Sequence, residues 1–175
     1  MTLAEALVAD RQGRTQDAAT VYEAVLLSAP DDLTATMNLA VLYWQATDFG
    51  NSAAEHLPPE FVAHAGKRLR ELVGAAQGRF PREPEVLFWS RYVAWADVGE
   101  PFDPAECREL LRLYPDYLEP AFVLFSRSAG TEAEVEAMKL LERCSEDPTA
   151  RNRYIVSVIK GVLKRRRPKK SGSPT

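Results

Sequence analysis

A chain of 175 residues with 46% apolar and 27% charged side chains can bury a core as one domain, which excludes wholesale disorder. No apolar run reaches the roughly eighteen residues that a spanning helix needs. The net charge of −3 conceals a division: residues 1–150 carry −12, whereas residues 151–175 carry nine basic side chains and no acid. An acidic body and a basic end can serve different targets or fold onto each other.

Cys107 and Cys144 are the only cysteines, too few for a disulfide framework or a cysteine-only zinc site. The opening MTLAEALVADRQ lacks the basic and apolar regions of a secretory leader. A cytoplasmic, reducing setting is therefore expected.

The elements follow in chain order. Ala4, Leu7, Val8 and Arg11 fall at i, i+3, i+4, i+7 and predict a short helix closed by Gly13. Thr15 is placed to cap a second helix, with Ala18, Val21, Tyr22, Val25 and Leu26 on one face. Pro30 ends it, having no amide hydrogen and restricting the residue before it. Asp31 and Asp32 are suited to cap the next start, where negative charge is favoured. That third helix, around MNLAVLYWQAT, leads into a long connection, residues 47–59, and a helix at about 60–77.

EVLFWSRYVAWADVG is apolar nearly all round, with Phe88, Tyr92 and Trp95 on one stripe and Trp89, Val93 and Ala96 on another. It is predicted to be central and packed on both faces. DPAECRELLRLY buries Cys107, Leu110, Leu111 and Tyr114. LEPAFVLFSRSAG and TEAEVEAMKLLERC form a last pair, Thr131 and Glu134 having capping-box spacing. A final helix over 149–166 places Ile155, Val158, Ile159 and Val162 on a stripe suited to covering an exposed end.

Pro81, Pro115 and Pro148 stand 34 and 33 residues apart, and Pro30 precedes Pro81 by 51. A period near 34 built of two antiparallel helices is the signature of a tetratricopeptide-type solenoid. Gly13, Ala18, Tyr22 and Pro30, then Asn38, Leu39, Ala40, Tyr43 and Asp48-Phe49, and later Ala137 and Leu141, occupy positions at which the chain resembles the tetratricopeptide repeat family. The best matches cover residues 3 to 50. The long connection of the second repeat, and the missing small residues of the third, depart from the pattern. The resemblance implies an all-α fold, a right-handed α-solenoid of antiparallel helix pairs. The pairs fall at about 3–30, 31–80, 82–115 and 116–147, with a C-terminal capping helix at 149–166 and a basic, disordered tail at 167–175.

In such a family the first helix of each pair lines a concave groove that grips peptides or partner helices. Here this implies Asn38, Val41, Leu42 and Gln45, with Trp44 beside them. The Asn38 amide offers both donor and acceptor to an extended chain; bonding to a neighbouring helix is the other reading. Trp44 fits either an interface anchor or core packing, while Trp89 and Trp95 fit the core. The basic pairs that would clamp a terminal carboxylate are absent from the matching positions.

Catalytic signals are absent. There is no Gly-x-Ser-x-Gly, phosphate-cradling glycine loop or His-Glu-x-x-His, so no enzyme is expected. Glu60 and His64 stand one turn apart, with Glu55 and His56 nearby, but no third ligand has a recognisable spacing; neither metal nor cofactor is expected. The neighbours of Cys107 should raise its thiol pKa. Lys164, Arg165, Arg166, Arg167, Lys169 and Lys170 form a cationic cluster with three readings: a solubilising helix end, nucleic-acid phosphates or anionic lipid. The chain thus reads as a protein- or peptide-binding adaptor, with a nucleic-acid-associated accessory or a self-assembling homo-oligomer as alternatives.

Overall fold

Four helices begin on a proline, at Pro59, Pro84, Pro104 and Pro120. Proline is pre-set for the first helical position and the missing amide hydrogen costs nothing there. The period-setting prolines Pro30, Pro81, Pro115 and Pro148 lie in the breaks between helices. The computed structural model describes residues 1–166. Ten helices are found there: α1 (Leu3–Arg11), α2 (Thr15–Ser28), α3 (Leu33–Thr47), α4 (Phe49–Ala54), α5 (Pro59–Arg79), α6 (Pro84–Val98), α7 (Pro104–Leu113), α8 (Pro120–Arg127), α9 (Glu134–Glu146) and α10 (Ala150–Arg166). The fold is all-helical, with no strand among the described residues. The tail expected at 167–175, with Arg167, Lys169 and Lys170, lies outside them.

Helix starts are fixed by local chemistry. Thr2 and Glu5 form a capping box, as do Asp103 and Glu106. Asp32 caps α3 through the amide of Ala35 at 2.9 Å, and Asp48 caps α4 through Asn51 at 2.8 Å. Gly13, at φ +69°, makes the left-handed turn after α1.

Two expected caps are not made. The Thr15 hydroxyl donates to Glu55 Oε2 at 2.5 Å, drawn away by a partner forty residues on, and Arg14 stands at the N-cap instead. Thr131 bonds back to Ser128, so α9 starts from Ala133 at φ +52° without a side-chain cap. The 47–59 connection contains a helix of its own, α4.

Successive helices pack on one another in chain order, α4 lying on α3 while α5 also packs on α3. α3 is the most enclosed element: ten of its fifteen residues are buried, including Met37, Leu39 and Tyr43. The sequence assigns that central role to α6, yet only the first part of α6 is enclosed, around Phe88 and Trp89. Trp95, expected in the core, is 37% exposed with the Arg127 guanidinium 6.0 Å from its ring.

The sequence places the last helix over the end of the row. α10 does pack on α8 and α9, with Ile155 and Ile159 fully buried, but it also returns to α3. Its first amide, from Ala150, donates to Asp10 Oδ1 of α1 at 2.6 Å. The first and last helices are thereby joined.

Candidate functional site

The expected groove face of α3 carries Asn38, Val41, Leu42 and Gln45. Asn38, Val41 and Leu42 are 3%, 1% and 1% exposed, so none is an open groove residue. α2, α5 and α10 all pack against α3 and together enclose it. Asn38 lies against the Tyr22 hydroxyl, and its Oδ1 is buried without a donor. This corrects the peptide-contact reading in favour of a helix-neighbour role.

Beneath α10 runs a buried polar network that the sequence reading missed. Asp10, 1% exposed, accepts from the Ala150 amide and, at 3.0 Å, from the Tyr22 hydroxyl; Arg153 stands 3.7 Å away. Burial raises the Asp10 pKa despite these partners. Arg151 pairs with Glu85 and sits 3.7 Å from Glu119. Burial pulls the guanidinium down to about 10. Glu119 accepts from the Trp89 indole and, at 3.0 Å, from the Tyr117 hydroxyl. Burial pushes Glu119 up to about 7 against those hydrogen bonds.

Beyond this network, α10 does not cover all of α3. An open cleft of about 920 Å³ remains between the last turns of α3, the helix α4, the end of α6 and the first turns of α10. Leu42 is on its surface, and so are Trp44 and Gln45, the two expected residues that keep partial exposure. Asn38 and Val41 are not among the lining residues.

The Trp44 indole N–H donates to Asp97 Oδ1 at 2.7 Å, and the ring meets Tyr154 edge-on at 4.9 Å. The side-chain Nε2 of Gln45 is buried with no acceptor. Asp48, Glu55 and Asp97 also line the cleft, against one cation, Arg153. Arg153 is engaged by the carbonyls of Asp10, at 2.7 Å, and Pro148, at 2.5 Å. Phe49, 87% exposed, stands at the rim.

In the sequence Asp48 and Phe49 stand out only as positions that resemble the tetratricopeptide family, and Asp97, Tyr154 and Arg153 not at all. Their proximity depends on how α4, α6 and α10 meet, which helical periodicity does not encode.

Elsewhere, the Cys107 and Cys144 thiols are buried and pushed up to about 12 by desolvation, an unreactive state. His64 meets the Tyr43 ring edge-on at 5.8 Å. No cluster of three or more His, Cys, Asp or Glu suited to a metal occurs among the described residues. Of the described part of the cationic cluster, Lys164 and Arg165 are exposed, while Arg166 donates to Gly130 O and to Glu134, both at 2.8 Å. One of its six charges thus helps to hold the α8–α9 turn.

Fold and cleft together define an all-helical protein with a sizeable aromatic- and carboxylate-lined opening; no described helix is long and apolar enough to cross a membrane. Compared with protein-family models, curated proteins and solved structures, the chain gives no significant match to any.

Proposed function

We propose that this protein is a non-enzymatic interaction module, a tetratricopeptide-like row of antiparallel helix pairs that takes an extended segment of a partner protein into the cleft beside Trp44. The in-order packing of successive helices and the Gly13 turn between the first two support the repeat reading. Two free, buried thiols suit a reducing, cytoplasmic setting.

One observation carries the binding reading. Gln45 holds a buried amide nitrogen with no acceptor at the edge of an open cleft. An unmet buried donor costs about 1–3 kcal/mol, and a turn of the amide into the cleft toward a peptide carbonyl would relieve it. The partly exposed Trp44 offers the amphipathic surface that anchors recognised chains.

Ser157 lines the cleft on the exposed side of α10, so Ser157→Trp blocks the opening without entering the core. Affinity capture with wild type and variant tests the reading. The expected result is a partner retained by the wild type and lost by a variant with unchanged helicity and melting temperature. Equal capture by both overturns the cleft as the binding site.

A further inference from the structure

We propose that the segment bound in this cleft carries an arginine or lysine side chain, seated between Asp48 and Asp97 beside the Trp44 ring. This rests on the reading of the cleft as a peptide site and names the chemistry of its occupant. Three carboxylates line the opening, and among the described residues none of Asp48, Glu55 and Asp97 takes part in an ion pair. The carboxylates of Glu23, Glu85, Glu106 and Glu132, by contrast, each meet an arginine.

The single cleft cation does not neutralise the three. Arg153 is turned to the carbonyls of Asp10 and Pro148, and its nearest carboxylate is the buried Asp10 at 3.7 Å. The opening therefore keeps a surplus of negative charge beside low-dielectric aromatic walls, where a cation is attracted more strongly than on an open surface.

The walls suit the rest of such a side chain. Trp44 and Tyr154 offer ring surface to a guanidinium or ammonium. The exposed Phe49 at the rim can cover the methylene stem of a long cationic residue. The Gln45 nitrogen is buried without an acceptor, and turned into the opening it would donate to a backbone carbonyl of the same segment. A cation, an aliphatic stem and an extended backbone are what one Arg- or Lys-bearing peptide supplies.

The test uses the full chain and three fluorescein-labelled peptides of equal length, with Arg, Gln or Glu at alternate positions in an otherwise Ala/Gly sequence. Binding is followed by anisotropy from about 0.05 to 0.3 M salt. Two variants accompany it: Ser157→Trp, which fills the cleft, and Asp48→Asn with Asp97→Asn. The amides keep an acceptor for the α4 cap and for the Trp44 N–H while removing both charges.

The expected result is binding of the Arg peptide about tenfold or more above the Gln and Glu peptides, weakening with salt. It should be lost in Ser157→Trp and fall roughly three- to tenfold in the double amide variant. Equal binding of Arg and Gln peptides, or an Arg affinity unchanged in the double variant, overturns the cation assignment. If Ser157→Trp still blocks the bound peptide in that case, the cleft reading stands without it. Arg-peptide binding that survives Ser157→Trp places the peptide elsewhere on the acidic body and overturns both.

Discussion

Removing the Asp10 carboxylate should unlock α10 from the rest of the molecule. Asp10 is 1% exposed and accepts from the Ala150 amide at 2.6 Å and the Tyr22 hydroxyl at 3.0 Å. Asp10→Ala leaves both donors unmet, at about 1–3 kcal/mol each. Against that, the substitution relieves the desolvation that raises the Asp10 pKa, and Arg153 keeps its bonds to the carbonyls of residue 10 and Pro148. A net loss of about 3 kcal/mol follows, or a fall in melting temperature of roughly 6–12 °C for a domain of this size. Far-UV circular dichroism melts measure the loss, and native-state hydrogen exchange locates it. Protection should drop first at the start of α10 and at the face of α3 it covers, before α5 or α7. Asp10→Asn retains an acceptor and should recover part of the loss. A melting temperature within about 1 °C of wild type for Asp10→Ala would refute the clasp, since two unmet buried donors cannot be that cheap. Exchange that rises uniformly along the chain would refute its local character.

Glu119 gives a pH signature. Its pKa in the fold, about 7 against an ordinary 4.5, means that the folded state favours the protonated acid. That contribution is fully present below about pH 4.5 and is lost as pH rises through 7, by roughly 3 kcal/mol. Wild type should therefore lose stability relative to Glu119→Gln between those limits, and fluorescence of Trp89, whose indole donates to Glu119, should titrate with it. A stability difference that is flat across that range contradicts the buried-acid assignment. Gly130 is at φ +92°, and a β-carbon there would stand 2.6 Å from Arg166 Cδ and 3.1 Å from Val162 Cγ1, so the Arg166 side chain would have to move. Gly130→Ala should cost about 1–3 kcal/mol in chemical denaturation, more than Gly13→Ala, whose left-handed site has open space around it. An equal cost at both glycines would mean that the Arg166 contact does not constrain the turn.

The helical elements were legible because their signals are local. Prolines at the breaks, the Asp32 cap and the 3.6-residue apolar rows each act within one or two turns. What local chemistry could not give is which polar groups meet across the fold. Asp10 and Ala150 are 140 residues apart, Arg151 and Glu85 are 66 apart, and nothing in the spacing of either pair records the other. Thr15 illustrates the cost: its position before an apolar row reads as a cap, yet a nearby carboxylate from α4's end takes the hydroxyl. Trp44 and Gln45, expected on the groove face of α3, keep partial exposure at the cleft, whereas the acids that surround them come from α4 and α6.

The burial of Asn38, Val41 and Leu42 follows from the same rule that predicts a central place for α6. Residues 37–44 read MNLAVLYW, seven of eight apolar, and a helix apolar all round must be packed on every side. Leaving Val41 and Leu42 open to water would cost about 1.5–3 kcal/mol for each side chain. A groove lined by such residues is therefore a surface that the chain itself is driven to cover, and α2, α5, α6 and α10 all pack on α3. Covering has a geometric limit. α10 descends from its Asp10 anchor past Tyr154 and Ser157, and the last turns of α3 emerge beside it where Trp44 and Gln45 bring a polar N–H and an amide. The opening persists at the point on α3 where the apolar run gives way to polar groups, because there the hydrophobic gain from further closure falls away. On the proposed reading a partner is recognised by the aromatic and charged groups of that opening, since the apolar stripe of α3 is already covered.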